Sequence, residues 1–273
     1  KLYELEARFG SKKPLTRTNF DDIIRKLKSI GFRPKNTAGK YELRIMNEFS
    51  DPKTGRKKIS SVRGEISYLP NIQKYCKTNV PENIVFNQKK WVFIGNKRVD
   101  SFDQPDFNFR VNLKSEEILE KDHRLVKMTL EDWERSKKIF RFLKRFTFIH
   151  NDFGLKIDCS IVKSSRRRNG RLIPERTIQE SNVFNNQETF EIEIEMDRHI
   201  TVKNGVVQMK KVIKHILSGC QNTNYPISYK DMDAVYNQYL YLIHNKKAKF
   251  EHKKHPTDFL GPSSISLEVE NVM

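Results

Sequence analysis

Cysteine is scarce and scattered: Cys76, Cys159 and Cys220 are the only three in 273 residues. An odd number at wide spacing argues against a disulfide framework or a cysteine-zinc site and fits a reducing compartment. No apolar run reaches the ~18 residues of a helical membrane span. No signal-peptide pattern is visible, and the start at Lys1 fits a piece of a longer chain. A glycine-rich phosphate loop of the GK[ST] type is missing, which excludes the nucleotidases built on one. The seven histidines show no ligand spacing, and no Ser/His/Asp or Cys/His grouping stands out. There is no internal repeat and no low-complexity tract.

Charge is plentiful. Lys and Arg number 52 against 34 Asp and Glu, a net +18, so a polyanionic partner is favoured over a plainly basic soluble protein. The hydrophobic and aromatic fractions, 37% and 11%, suffice for a core of one large domain or two small ones. Most of the chain alternates with period two: Leu2 to Phe9, Lys40 to Phe49, Ile59 to Tyr68, Trp91 to Ile94, Phe107 to Ser115, Ile139 to Ile149, Leu155 to Lys163 and Thr189 to Asp197. These segments predict strands, with turn signals such as Asn151-Asp152 and Asn169-Gly170 between them. Helical spacing is confined to Thr18 to Ile30 (with Thr18 and Asp21 as its capping box), Met128 to Lys138, Lys203 to Leu217 and Tyr229 to Asn245.

The strands place charge where a core is expected. In FEIEIEMD, Glu191, Glu193, Glu195 and Asp197 share one face and Phe190, Ile192, Ile194 and Met196 the other. In LYELEARFG, Glu4, Glu6 and Arg8 oppose Tyr3, Leu5, Ala7 and Phe9. Asn108, Arg110, Asn112, Lys114 and Glu116 form a third row, Lys156, Asp158 and Ser160 a fourth, and Arg63, Glu65 and Ser67 a fifth. Any one row reads as a solvent face. Two nearly pure acid rows beside several basic ones instead suggest an inverted arrangement. The charged faces line a wet lumen, and the apolar faces point outward beneath helices. The fold expected is α+β and mostly β, a closed antiparallel eight-stranded barrel with a few helices outside it; a sandwich is the competitor. Two carboxylates ~4 Å apart repel by about 4 kcal/mol at an effective dielectric near 20. Such a lumen needs basic side chains and a hard divalent cation, and the combination suits a triphosphate.

These residues resemble the tunnel-type, metal-dependent RNA 5′-triphosphatases, the first domain of mRNA capping enzymes in fungi, protozoa and large DNA viruses. ELEARFG and FEIEIE are similar to the family's two glutamate strands. FRFLKRFTFIHNDFGLKIDCSIVKS is similar to its basic strand and the R/K-x-D-x-T/S strand after it. VRGEISYLPNIQKYC and FNFRVNLKSEE are similar to strands between them. The resemblance spans Leu2 to Lys246 and is nearest to the giant-virus type. It implies Mg2+ or Mn2+ held by Glu4, Glu6 and Glu195. It implies that Glu193 orients the attacking water and that Glu191 buttresses a basic partner. Arg63, Arg110, Arg145 and Lys156 touch the phosphates or brace the tunnel, and Asp158 braces them. Arg8, Lys89, Lys114 and Arg141 are further phosphate contacts. The basic strand leaves its register open, with either Arg145 or Lys144 facing inward.

The same resemblance implies hydrolysis of the γ-phosphate from 5′-triphosphate RNA, with free NTP as a side substrate, in the cytoplasm or a virion. Residues 1–248 form the triphosphatase domain. Residues 249–273 are a linker toward a guanylyltransferase domain, whose K-x-D-G motif this sequence lacks. Within the same fold the alternative is a tripolyphosphatase or NTPase; outside it, a non-enzymatic basic nucleic-acid-binding module. Trp91 and Trp133 are read as packing residues, and the arginines of SSRRRNGR as a solvated hairpin tip.

Overall fold

A computed structural model describes residues 2–51, 54–196 and 201–243. Asp197 and the segment 249–273 lie outside the described residues. The chain divides into two compact units, Lys1–Pro226 and Ile227–Met273; of the second, the helix Tyr229–Ile243 is described.

The first unit is built on eight strands: β1 (Leu2–Phe9), β2 (Lys40–Ser50), β3 (Val62–Ser67), β4 (Ile84–Trp91), β5 (Phe109–Leu119), β6 (Lys138–His150), β7 (Phe153–Ser164) and β8 (Glu188–Met196). Every neighbouring pair is antiparallel. The spatial order β1-β5-β4-β3-β2-β6-β7-β8 returns to β1 and closes the barrel. The closing seam is short: Glu6 faces Glu195, Ala7 faces Ile194 and Arg8 faces Glu193.

Because a strand's side chains alternate, each strand contributes one face to the inside and one to the outside. The outward faces are apolar and form two clusters. The first joins Ala7, Phe109, Ile157, Cys159, Ile192 and Ile194 to helices α1 (Arg17–Ser29) and α5 (Val202–Gln221). The second joins Leu43, Ile45, Ile66, Phe86 and Phe140 to α2 (Leu69–Thr78), α3 (Arg124–Glu131), the one-turn α4 (Ile178–Ser181) and the buried Trp133. The barrel is thus inverted, as the period-two rows require. Where α1 and α5 cross, Gly219 admits no side chain: a Cβ there would lie 3.0 Å from the Ile23 Cα and the Lys26 Cβ.

The helices differ in detail from the sequence expectation. The capping box of α1 is Thr16 with Asn19, not Thr18 with Asp21: Thr16 Oγ accepts from the Asn19 N–H, and Asn19 Oδ1 from the Thr16 N–H. Helix α3 covers only the start of the expected Met128 to Lys138: it begins at Arg124, where His123 Nδ1 accepts from the Leu125 N–H, and ends at Glu131, and Lys138 belongs to β6. Helix α2, read as strand continuation, is a genuine omission; Pro70 in its first turn was the available signal. Asn169 and Gly170, both at positive φ, turn the hairpin of Arg167–Arg168 with Arg171–Leu172. Among the described residues no helix is long and apolar enough to cross a membrane.

Candidate active site

The inward faces enclose a cavity of about 320 Å³ lined by Glu4, Glu6, Arg8, Glu42, Arg44, Arg63, Glu65, Asn87, Lys89, Glu116, Arg141, Arg145, Lys156, Asp158, Glu193 and Glu195. Eight carboxylates meet seven cations, so the wall nearly neutralises itself while remaining wholly polar. Burying unpaired charges would be prohibitive, and nearly every one is paired here.

The pairs form a continuous net. Arg8 reaches Glu191 at 2.8 Å and Glu193 at 3.4 Å, and Arg141 holds Glu191 at 2.6 Å. Burial works against both guanidiniums. For Arg8, the carboxylates of Glu191, Glu193 and Glu6 prevail and raise its pKa. For Arg141, burial prevails with help from Arg8 and Arg44, and its pKa falls despite Glu191. Burial likewise opposes the Glu191 charge, yet Arg141 and Arg8 hold it below the ordinary range. On the far wall Arg44 binds Glu42 and lies 3.2 Å from Glu65. Arg63 bridges Glu65 at 2.6 Å and Glu116 at 3.0 Å. Arg145 reaches Asp158 at 3.1 Å and Glu193 at 3.8 Å.

The acid strands are where charge is crowded. Glu6 sits directly opposite Glu195 across the seam, and Glu4 lies two residues from Glu6 on the same face. Lys89 lies 2.8 Å from Glu4 and 3.5 Å from Glu6, and Lys156 lies 2.9 Å from Glu195. Even so, burial raises the Glu195 pKa, with Glu4 and Asp158 adding to it against Lys156. Burial and a hydrogen bond with Glu4 push Glu116 up to about 7, while that bond and Lys89 keep Glu4 low against its own burial. Of the buried polar atoms on the wall, Arg63 Nε and Asn87 Oδ1 have no hydrogen-bond partner among the described residues, and Glu65 Oε1 is held through its ion pairs with Arg44 and Arg63.

No three acidic, His or Cys side chains among the described residues stand close enough to chelate an ion as they are oriented. The donor chemistry nevertheless fits one: Glu4, Glu6 and Glu195 offer hard oxygens on adjacent strands, each engaged by a lysine that a phosphate could draw away.

Of the residues named from sequence, Glu4, Glu6, Arg8, Arg63, Lys89, Arg141, Arg145, Lys156, Asp158, Glu193 and Glu195 line the cavity, and Glu191 stands behind Arg8 and Arg141. The register of β6 is settled: Arg141 and Arg145 point inward. Lys144 points outward over the rings of Tyr41 and Phe146, away from the cavity. Arg110 and Lys114 share the inward parity of β5 but lie beyond the cavity lining. Arg110 clamps Asp103 and is nearly half exposed, and Lys114 lies over Trp91. Trp133 is a packing residue as expected; Trp91 is not, being 42% exposed. Sequence reading missed Glu42, Arg44 and Asn87, and gave Glu65 and Glu116 a face but no role. The alternation Tyr41, Leu43, Ile45 against Glu42, Arg44 carried the signal for the first two.

No protein-family model matches the sequence, and no curated protein matches it. Solved structures do. The RNA triphosphatase domain of a trifunctional mimivirus mRNA capping enzyme is similar at a TM-score of 0.50 and 17% identity, over 78% of this chain and 88% of that one. The S. pombe Pct1 RNA triphosphatase is similar at a TM-score of 0.42 and 11% identity, over 81% and 83%. At 17% identity the mimivirus likeness is one of architecture: the chain shares the fold of that RNA triphosphatase domain.

Proposed function

We propose that the protein hydrolyses the terminal phosphate of a 5′-triphosphate RNA end, the first step of mRNA capping. One observation carries this reading: carboxylates from β1 and β8 oppose each other inside a closed lumen whose other walls present six cations, with Arg8 of β1 the seventh. A triphosphate is the ligand such a surface neutralises, and phosphoryl transfer depends mainly on positioning and charge stabilisation.

The chain's residues divide the work. Arg63, Arg145, Lys89 and Lys156 turn from their carboxylate partners to the phosphate oxygens and stabilise the charge that develops on them. Glu193, held by Arg8 and Arg145, orients a water molecule toward the γ-phosphorus. The new P–O bond forms from that water, and the bond from the γ-phosphorus to the β–γ bridging oxygen breaks. The products are inorganic phosphate and a diphosphate RNA end. Arg141 and Glu191 keep Arg8 in place. Glu4, Glu6 and Glu195 would hold Mg2+ or Mn2+, which would supply charge neutralisation at the γ-phosphate. The mimivirus domain, a capping-enzyme part, supports this assignment by fold. The diphosphate end would next pass to guanylyl transfer, and free NTP is the expected side substrate.

The test is phosphate release from 5′-triphosphate RNA with and without Mg2+, with tripolyphosphate as competitor. The account expects release that depends on the ion and on Glu6 and Glu195. Hydrolysis of tripolyphosphate alone would assign the same barrel to inorganic triphosphate. Salt-sensitive RNA binding with no phosphate released would leave only a binding module.

A further inference from the structure

The tunnel has two mouths of different chemistry. On β4 the inward row runs Val85, Asn87, Lys89, Trp91; on β5 it runs Ile118, Glu116, Lys114, with Lys114 paired to Trp91 and Glu116 to Lys89. Val85 and Ile118 end the rows at one mouth, which Lys40, Ser67 and the exposed Tyr68 also line, along with the acids Glu65 and Glu116. Trp91 and Lys114 end them at the other. There the indole is 42% exposed, the Arg98 guanidinium lies 4.7 Å from its ring centroid, and the Lys114 ammonium lies over the same ring. Arg98 belongs to the small hairpin Phe93–Ile94 with Lys97–Arg98, and Asp100 accepts from it at 2.7 Å. Lys114 is within electrostatic reach of Glu6 and Lys89 inside, and of Arg98 and Arg110 outside. Phe93 and Phe102 are also more than half exposed.

Exposed aromatic rings interleaved with guanidinium and ammonium groups make a surface for single-stranded nucleic acid. Bases stack on the rings, and backbone phosphates meet the cations. The opposite mouth offers a smaller set: Lys40 and the exposed Tyr68 stand there, and Glu65 and Glu116 are already bridged by Arg63. The Trp91 mouth brings Arg98 and Lys114 over one ring, with Arg110 in electrostatic reach of Lys114 and with Asp100 and Asp103 as exchangeable partners of the two arginines. We propose that the RNA chain leaves the tunnel at the Trp91 mouth, with its first bases stacked on Trp91 and its backbone phosphates against Arg98, Lys114 and Arg110. This deepens the triphosphatase reading and rests on it: the lumen takes the triphosphate, and the Trp91 mouth recognises that RNA is attached.

The discriminating quantity is the ratio of kcat/KM for a 5′-triphosphate RNA decamer to that for tripolyphosphate. Trp91→Ala lowers this ratio on the order of tenfold, as the loss of one stacked base requires. Trp91→Phe restores most of it, and Tyr68→Ala, at the other mouth, leaves it in place. Direct binding of the decamer by Glu6→Ala, with and without Trp91→Ala, reads the surface without catalysis and should weaken by the same factor. An unchanged ratio in Trp91→Ala, or a fall in Tyr68→Ala instead, overturns the proposal. Trp91-dependent RNA binding by a protein that releases no phosphate would uphold the surface and reject the triphosphatase reading.

Discussion

The two faces of the same eight strands behave as two different proteins. Outside the barrel, Ile157, Cys159, Ile192 and Ile194 are fully buried beneath α1 and α5. One residue away along the same strands, Asp158, Glu193 and Glu195 look into a polar cavity. In most small barrels the inside is the core. Here the core is the outer layer, which supplies hydrophobic stability, and the lumen spends part of it holding eight carboxylates near one another. Stability and chemistry are therefore separable by strand parity along most of the barrel, the fully buried Leu143 and Val162 on the inward parity being the exceptions, and substitutions should sort accordingly.

The largest effect is expected on the inner face. Glu6→Ala or Glu195→Ala should lower phosphate release by two orders of magnitude or more, on the order of the loss of a main electrostatic contact at a reacting phosphate. The melting temperature should hold or rise, because removing Glu195 relieves a crowded carboxylate whose pKa burial already raises. Parallel kinetics and thermal unfolding decide it; a collapse in stability would merge the two faces. On the outer face the pattern inverts. Ile157→Ala or Ile194→Ala should cost about 2–5 kcal/mol in urea unfolding. The specific activity of the folded fraction should stay near wild type. Gly64→Ala, whose Cβ would press on the end of the Ile84 side chain, should cost about 1 kcal/mol, since that side chain can shift.

Lys138 sharpens the comparison as a cation buried under the outer layer. Its ammonium donates to the carbonyls of Ser136 and Arg176 at 2.7 and 3.2 Å, and burial lowers its pKa to about 8 from 10.5. Between these values the unfolded chain binds more protons than the folded one. This site therefore destabilises fully below about pH 8, and its penalty fades as pH rises toward 10.5. Lys138→Met should flatten the stability curve over that window relative to wild type; parallel curves would contradict it. The smallest effect belongs to the surface: Arg25→Ala, which breaks a 3.0 Å pair with Asp22, should change stability by no more than about 0.5 kcal/mol.

Strand parity was legible because it is local. Once Glu193 alternates with Ile192 and Ile194, the two faces are fixed whatever the strand pairs with. The pairing itself was not written locally. That β1 closes on β8, setting Glu6 against Glu195, depends on contacts nearly the whole chain apart, and only the resemblance to a known family pointed to it. Where local pattern was ambiguous the reading slipped. IVFNQKKW opens with an unbroken apolar run and does not alternate, so the expected strand, Trp91 to Ile94, misses all of β4 but its last residue, and Asn87 with it. The basic strand carries cations on both parities until packing sends Lys144 outward. Trp91 was read as core because nothing in the sequence marks the end of a tunnel.

The claim on which the rest depends is that the acids of β1 and β8 grip one ion together. Mn2+ affinity in the presence of tripolyphosphate, followed by electron paramagnetic resonance, tests it in Glu6→Gln, Glu195→Gln and the double variant. A shared ion predicts that the double variant binds no more weakly than the worse single variant, because the two losses are not additive. Additive losses, or Mn2+ binding indifferent to both substitutions, would contradict the shared site.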